Sequence, residues 1–287
     1  VLERVDRMQI AVRDRVRAAD TYVRLLGAAP VREADSAHLN AARTVLALGE
    51  SEIELCEPRG PGVVRDFLER WGEGLLAAGY ATSRLAALAA HLDAQGAPFA
   101  RDGEQLWIPG TTTAGFPMVV SALVPRPRVG PVSFLYEATN TLASDWRTVA
   151  ERYVRLFGLD ASKFSPIASR RFGYEGTLTL FDPPARLDRI ELSQTFADRP
   201  SAMRRFVERR GGDSLYMCYV EAHDFDGLKA RLLAGGARLT SRGADIAGER
   251  DGLWVHPADL HGLLLGVSRT SFAWTWSGRP DLVRPAG

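Results

Sequence analysis

The chain has 287 residues, of which 46% are hydrophobic and 25% charged, with a formal net charge of +1 from 36 basic and 35 acidic side chains. That length predicts two domains of ordinary size, each able to bury a core. The nearly balanced, interspersed charge excludes an electrostatic case for nucleic acid or an anionic membrane surface.

Met8–Val12 alternates as a strand does, and Asp14 is placed to cap a helix that runs to about Leu26 and ends at Gly27. Strand-like pieces follow around Pro30–Glu33, Thr44–Leu48 and Glu52–Cys56, so the first unit is βαβββ. A linker helix is predicted over Val63–Arg70. The unit then recurs, with a strand at Leu75–Ala81, a helix at Leu85–Gln95, and strands near Phe99, Leu106–Ile108 and Met118–Leu123. Pro125-Arg-Pro127 with Gly130-Pro131 marks a boundary. The second half predicts a strand at Val132–Asn140, a helix from the Asp145 cap through Leu156 to Gly158, and strands near Phe172–Tyr174, Thr177–Phe181 and Arg189–Gln194. A second linker helix at Ser201–Arg210 leads to a last unit with a strand at Leu215–Val220, a helix at Phe225–Ala234, and strands at Leu253–Val255 and Leu263–Val267. The tail, with Trp274 and Trp276, is expected to pack across the outside of the barrel.

The two halves are a tandem duplication. Tyr22-Val-Arg-Leu-Leu-Gly27 returns as Tyr153-Val-Arg-Leu-Phe-Gly158. Ile53-Glu-Leu55 returns as Ile190-Glu-Leu192, and Leu106-Trp-Ile108 as Leu253-Trp-Val255, always in the same order. The expected fold class is α+β, with four βαβββ modules forming two open cup-shaped barrels. The expected division is residues 1–126, residues 131–270 and a tail at 271–287. No apolar run reaches the ~20 residues of a membrane span. The start carries no signal-peptide pattern, and Cys56 and Cys218 read as buried thiols, so a cytoplasmic protein is expected.

These modules, with Val12-Arg-Asp14, Ile53-Glu-Leu-Cys-Glu-Pro58 and Phe67-Leu-Glu-Arg-Trp-Gly-Glu-Gly74, resemble the vicinal oxygen chelate superfamily, which includes glyoxalases, extradiol dioxygenases and bleomycin-resistance proteins. The first half is similar to methylmalonyl-CoA epimerases. The second, through Leu135-Tyr-Glu-Ala-Thr-Asn140, is similar to the C-terminal domain of 4-hydroxyphenylpyruvate dioxygenases. The resemblance implies a divalent metal held by His, Gln and Glu side chains on the first and last strands of paired modules. In this sequence the positions it assigns carry Arg7, Ala77 and Val119 beside Glu54 in the first cup, and Tyr136, Met217 and Gly266 beside Glu191 in the second. No metal or other cofactor is therefore expected, unless the ligand positions lie elsewhere. The five histidines, His38, His91, His223, His256 and His261, read as surface, capping and turn residues.

Glu54 and Glu191 stand between Ile and Leu neighbours, so alternation turns each opposite to them and into a cup. A carboxylate there has a raised pKa and can move a proton without metal. The alternative for each is a salt bridge to Arg7 or another arginine. The expected catalytic residues are Glu191, Tyr136 and Glu54, with Tyr136 or Arg7 stabilising an enolate. Arg7, Gln9, Ala138, Asn140, Met217, Tyr219 and Gly266 are expected to line the substrate. Three activities stay open: a metal-independent isomerase, epimerase or lyase on a small oxygenated metabolite; a small-molecule binding or sequestering protein of the bleomycin-resistance type; and an atypical metal-dependent dioxygenase. The expected partner is a small molecule, with no nucleic acid or membrane, for a monomer or homodimer.

Overall fold

The computed structural model describes residues 2–242 and 251–285. Four βαβββ modules follow one another. The first is β1 (Arg4–Ala11), α1 (Arg15–Leu26), β2 (Ala29–Ser36), β3 (Ala41–Leu48) and β4 (Ser51–Pro58). After the linker helix α2 (Val63–Trp71) comes the second: β5 (Gly74–Thr82), α3 (Leu85–Ala94), β6 (Ala100–Asp102), β7 (Gln105–Ile108) and β8 (Met118–Ala122). The third is β9 (Val132–Leu142), α4 (Trp146–Phe157), β10 (Ser165–Ser169), β11 (Tyr174–Leu178) and β12 (Arg189–Thr195). A second linker helix, α5 (Ala202–Arg210), precedes the fourth: β13 (Ser214–Ala222), α6 (Phe225–Ala234), β14 (Leu239–Ser241), β15 (Gly252–Val255) and β16 (Leu265–Arg269).

Each half forms one curled eight-stranded sheet, ordered β2-β3-β4-β1-β5-β8-β7-β6 and β10-β11-β12-β9-β13-β16-β15-β14. Opening strands pair antiparallel at the centre (β1 with β5, β9 with β13), and each pairs in parallel with the closing strand of its own module. The repeated helices start and stop by the same chemistry. The Asp14 carboxylate accepts from the Val16 and Arg17 amides, and that of Asp145 from Thr148. Gly27 and Gly158 then close α1 and α4 with φ of 70° and 62°, a conformation that a side chain disfavours.

The convex faces of the two sheets meet. Met8, Ile10, Ile53 and Leu55 of the first sheet share one apolar core with Leu135, Ala138, Ile190 and Leu192 of the second, and with Tyr22, Leu88, Tyr153 and Leu228 from the helices. The two halves hold each other reciprocally. The Tyr22 hydroxyl of the first donates to the Leu260 carbonyl of the second at 2.8 Å, and the Tyr153 hydroxyl of the second donates to the Thr113 carbonyl of the first at 2.8 Å. Both cups therefore face outward, away from this seam.

Two elements differ from expectation. Strand β10 occupies Ser165–Ser169, whereas Phe172–Gly173 form the turn before β11, and Thr177–Phe181 overlaps β11 only in part. Pro166 and alternate exposure along β10 mark an edge strand with little hydrophobic pattern to read. The tail does not lie across the outside of a barrel: Ala273 and Trp274 pack with Tyr136, Leu180 and Met217 over the second cup.

The reciprocal tyrosines give a first prediction. Tyr153→Phe leaves the buried Thr113 carbonyl without its donor and should lower unfolding free energy by ~1–3 kcal/mol, whereas after Tyr22→Phe the Leu260 carbonyl keeps the Leu263 amide and the loss should be that of one hydrogen bond, ~0.5–1.5 kcal/mol. Urea denaturation of the two variants checks this, and a neutral result for both would remove the clasp.

Candidate active site

Alternation places Glu54 and Glu191 on the cup faces, because Ile53, Leu55, Ile190 and Leu192 are turned into the shared core. The two carboxyl groups nonetheless differ in every neighbour.

In the first cup, Glu54 is 1% exposed and saturated. Its Oε1 accepts from Arg7 Nη1 at 2.6 Å and Gln105 Nε2 at 2.7 Å, and its Oε2 from Gln9 Nε2 at 2.7 Å and Arg43 Nη1 at 3.4 Å. Burial by itself would raise this carboxyl. The Arg7 and Arg43 guanidinium groups and the hydrogen bonds from Gln9 and Arg7 outweigh burial and hold it at about 2. Arg7 is committed as well, to Asp6 at 2.6 Å, Glu52 at 3.3 Å and Ser121 at 2.8 Å. Val64 and Leu68 of α2 pack with Leu39, Cys56, Trp107 and Val119 across the rest of the cup. Arg7, Gln9 and Glu54 thus form a filled ionic network. Glu54 has no pKa suited to proton transfer near neutrality, and Arg7 lies in a different cup from Tyr136 and Glu191.

In the second cup, Glu191 is 7% exposed and meets no cation directly among the described residues. It accepts from Thr139 Oγ1 at 3.1 Å and from the Ser193 hydroxyl. Burial first, and then the neighbouring Glu137 carboxyl with which it shares a hydrogen bond, raise Glu191 to about 8. Glu137 is paired through Oε2 with Arg189 Nε at 2.6 Å, and both are fully buried. Glu137 Oε1 has no other partner among the described residues, which leaves it free to accept the hydrogen bond of protonated Glu191.

Two tyrosines neighbour this pair. Tyr136 and Tyr219 stack with centroids 6.0 Å apart, and the Arg189 guanidinium lies 4.7 Å from the Tyr136 ring. Tyr136 accepts from Ser268 at 3.2 Å and Tyr219 from Trp254 Nε1 at 2.7 Å, so each phenol keeps its own hydrogen to donate. Burial raises both phenols above their ordinary range and keeps them as neutral donors. Met217 packs beside them, and Gly266 leaves room for Tyr219: a Cβ at Gly266 would stand 2.0 Å from that ring.

Ala138 and Asn140 are corrections. Ala138 lies in the shared core, and the Asn140 amide donates to the Tyr153 hydroxyl and the Ala114 carbonyl, so both face the helices rather than a substrate. The cause is an irregularity of β9 at Tyr136, where the register against β13 steps from Leu135↔Val220 to Glu137↔Tyr219. Tyr136 and Glu137 consequently both serve the cup, and the phase of alternation reverses after them. Sequence reasoning missed Glu137 for that reason. It could have found Arg189, two residues before Glu191 on the same strand face. Tyr174, Arg242 and Trp276 come from strand ends, a loop and the tail, and carry no periodic signal.

The positions that the resemblance assigns to a divalent metal do not fit one. Tyr136, Met217 and Gly266 offer a neutral phenol, a thioether and no side chain, while Arg189 brings a cation to the same floor. Glu54 is already saturated by guanidinium and amide groups. Among the described residues, no group of three His, Cys, Asp or Glu side chains is arranged to hold a metal ion. The histidines sit elsewhere: His91 bonds the Arg155 carbonyl, His256 caps Ala258, His261 meets Glu73 and Thr21, His223 is exposed, and His38 lies against Trp107.

Residues 6–111 match the model of the glyoxalase, bleomycin resistance protein and dioxygenase superfamily. Comparison with curated proteins gives no match. Among solved structures, the chain is similar to a mutant of 4-hydroxymandelate synthase from Streptomyces coelicolor, with a TM-score of 0.72 and 16% identity over 93% of this chain and 92% of that one. It is also similar to a fusion of a xylose isomerase-like TIM barrel with 4-hydroxyphenylpyruvate dioxygenase, with a TM-score of 0.65 and 12% identity over 98% of this chain and 51% of that one. Methylmalonyl-CoA epimerase from Mycobacterium tuberculosis matches 48% of this chain and 89% of its own length at 21% identity and a TM-score of 0.41. At these identities the likeness is one of fold.

The two carboxyl groups predict opposite stability effects. Glu54→Gln leaves Arg7 and Arg43 without their shared counter-ion and should cost ~3–5 kcal/mol at neutral pH. For Glu191 the folded-state pKa of about 8 lies above the ordinary 4.5, so the folded protein binds the extra proton and stability falls as pH rises between those values. Glu191→Gln should therefore melt near wild type at pH ~5 and above it at pH ~9, because it removes the buried charge. Thermal melts of both variants across pH check the contrast, and parallel pH curves for wild type and Glu191→Gln would contradict it.

Proposed function

We propose that this chain, whose residues 6–111 belong to the glyoxalase, bleomycin resistance protein and dioxygenase superfamily and whose halves share its fold, is an isomerase, epimerase or lyase. It acts on a small oxygenated metabolite in the second cup. The observation that carries this reading is the Glu191 carboxyl, buried and hydrogen-bonded to Glu137, with a pKa of about 8. A group with that pKa is populated in both protonation states near neutrality and can take a proton from carbon and return it.

The reaction class is proton transfer next to a carbonyl. Ionised Glu191 removes the α-proton, and the electron pair moves onto the carbonyl oxygen as the C–H bond breaks. The Tyr219 hydroxyl, which already accepts from Trp254 at 2.7 Å, donates to that oxygen; Tyr136 is the second donor in reach of the same space. Such preorganised donors stabilise an enolate without reorganising in the transition state. Protonated Glu191 then returns the proton to a neighbouring carbon, to a leaving group, or to the same carbon once the enolate has turned its other face to Glu191. Glu137 accepts the hydrogen bond of protonated Glu191, and Arg189 fixes Glu137 in place.

One chain supplies every strand of both cups, so the reading needs no partner subunit. Among the described residues no helix is long and apolar enough to cross a membrane. Two buried free thiols, Cys56 and Cys218, favour a reducing cytoplasm.

The test is α-proton exchange in deuterium oxide, followed by proton NMR over a panel of 2-oxo and 3-oxo acids and their esters. Wild type should exchange at least one member ~100-fold or more faster than Glu191→Gln, with a rate that climbs with pH and levels off above about 8 as Glu191 ionises. Equal exchange by both proteins sinks the proposal. A second reading has its own support in the aromatic lining of Tyr136, Tyr219 and Trp254, which suits a cup that only binds and sequesters. It predicts a tight ligand recovered unchanged.

A further inference from the structure

The acid–base reading leaves one strong group unused. Arg242 follows β14 and anchors its backbone by donating to the Gly252 carbonyl at 3.2 Å. Its guanidinium lies 3.6 Å from the centre of Trp276, 5.4 Å from Trp254 and 5.8 Å from Tyr219. Its Nε and Nη1 are shielded from solvent and have no hydrogen-bond partner among the described residues. A guanidinium always carries its charge, and shielding it without an acceptor is unfavourable unless another group supplies one.

The surrounding charges do not supply it. Glu137 is bound to Arg189, and Glu191 is held largely in its neutral form. Aromatic faces give the cation some compensation, but they accept no in-plane hydrogen bonds. A second unused donor, Nη2 of the fully buried Arg189, lies below the Tyr136 ring. The first cup provides the contrast, since there the Arg7 and Arg43 guanidinium groups both meet carboxylates within the protein.

We propose that the molecule bound in the second cup is an organic monocarboxylate, whose carboxylate is received by the guanidinium of Arg242 while its body rests against Tyr219 and Trp254. The N–H groups of a guanidinium match the two oxygens of a carboxylate, a pairing a single point charge cannot copy. This rests on the reading of the second cup as the working site and names its substrate class. Arg242 is the specificity residue, remote from the carbon that Glu191 deprotonates.

The experiment measures affinity rather than turnover, by titration calorimetry and by quenching of tryptophan fluorescence, since Trp254 and Trp276 flank the guanidinium. Two matched pairs serve as probes: benzoate with benzamide, and cyclohexanecarboxylate with its amide. Phenyl phosphate tests the other common anion. Wild type should bind each carboxylate on the order of 10- to 100-fold more tightly than its amide. Arg242→Gln should abolish that preference, and Arg242→Lys should keep part of it. Circular dichroism melts establish that the variants are folded.

No preference for carboxylate in wild type, whether from equal affinity or from no binding of either probe, overturns the proposal. So does a preference that survives in Arg242→Gln, and tighter binding of phenyl phosphate than of benzoate reassigns the anion. Because this experiment reads affinity alone, failure of the proton-transfer reading would show in the exchange assay and not in this one.

Discussion

The seam between the convex faces is the constraint on which the rest of the structure depends. A single βαβββ sheet cannot cover its convex side, and here each half uses the other for that purpose. The tyrosine of the repeated Tyr-Val-Arg-Leu segment reaches across the seam in both directions, Tyr22 to Leu260 and Tyr153 to Thr113. Two glycines bring the backbones together at equivalent points: a Cβ at Gly115 would stand 1.7 Å from the Asp213 carbonyl oxygen, and one at Gly262 would stand 1.9 Å from that of Glu73. The segment that best reveals the duplication is thus preserved by packing. It carries no chemistry, and its effect on function is to point both cups outward.

Once both cups face outward, one pair of positions decides what each becomes. In the first half the central strand pair sets Arg7 opposite Glu52 and Gln9 opposite Glu54. In the second, the same pair of strands sets Glu137 opposite Arg189 and Thr139 opposite Glu191. The charges of the first of these pairs are exchanged between the strands. Burial raises both carboxyls; the guanidinium beside Glu54 outweighs it and holds that group ionised, whereas the carboxyl beside Glu191 adds to it and keeps that group protonated. Two glutamates at matching places in the repeat end about six pH units apart, from about 2 to about 8, through their neighbours alone.

Much of the architecture was legible because it depends on period and punctuation. The repeat, the four modules, the Asp14 and Asp145 caps, the Gly27 and Gly158 stops and the cup-facing glutamates all follow from spacing along the chain. What escaped is also physical. An extra residue at Tyr136 reverses the alternation of β9, so counting in twos from Tyr136 assigns Ala138 and Asn140 to the cup and hides Glu137. The irregularity leaves no mark in residue type. Strand β10 escaped for the opposite reason, because an edge strand that holds Pro166 and is half open to solvent shows almost no hydrophobic pattern. Arg242 and Trp276 meet across 34 residues of chain, and no local rule connects them.

A buried polar group without a partner is costly, so where such groups gather says something about what a cup is for. The first cup keeps a few isolated ones, Gln9 Oε1 and Arg43 Nε among them, on side chains whose remaining atoms are fully engaged in the Glu54 network. In the second, Glu137 Oε1, Arg189 Nη2 and two nitrogens of Arg242 surround one aromatic lining. An internal ion network could have satisfied them, as it does beneath α2. Their being left open on one side of the molecule and closed on the other fits a division of labour within the duplication. The first half gives up its cup to ionic packing and supplies the second with a rigid back. In the function proposed above, the second keeps donors, an acid and a cation for a molecule that brings an acceptor.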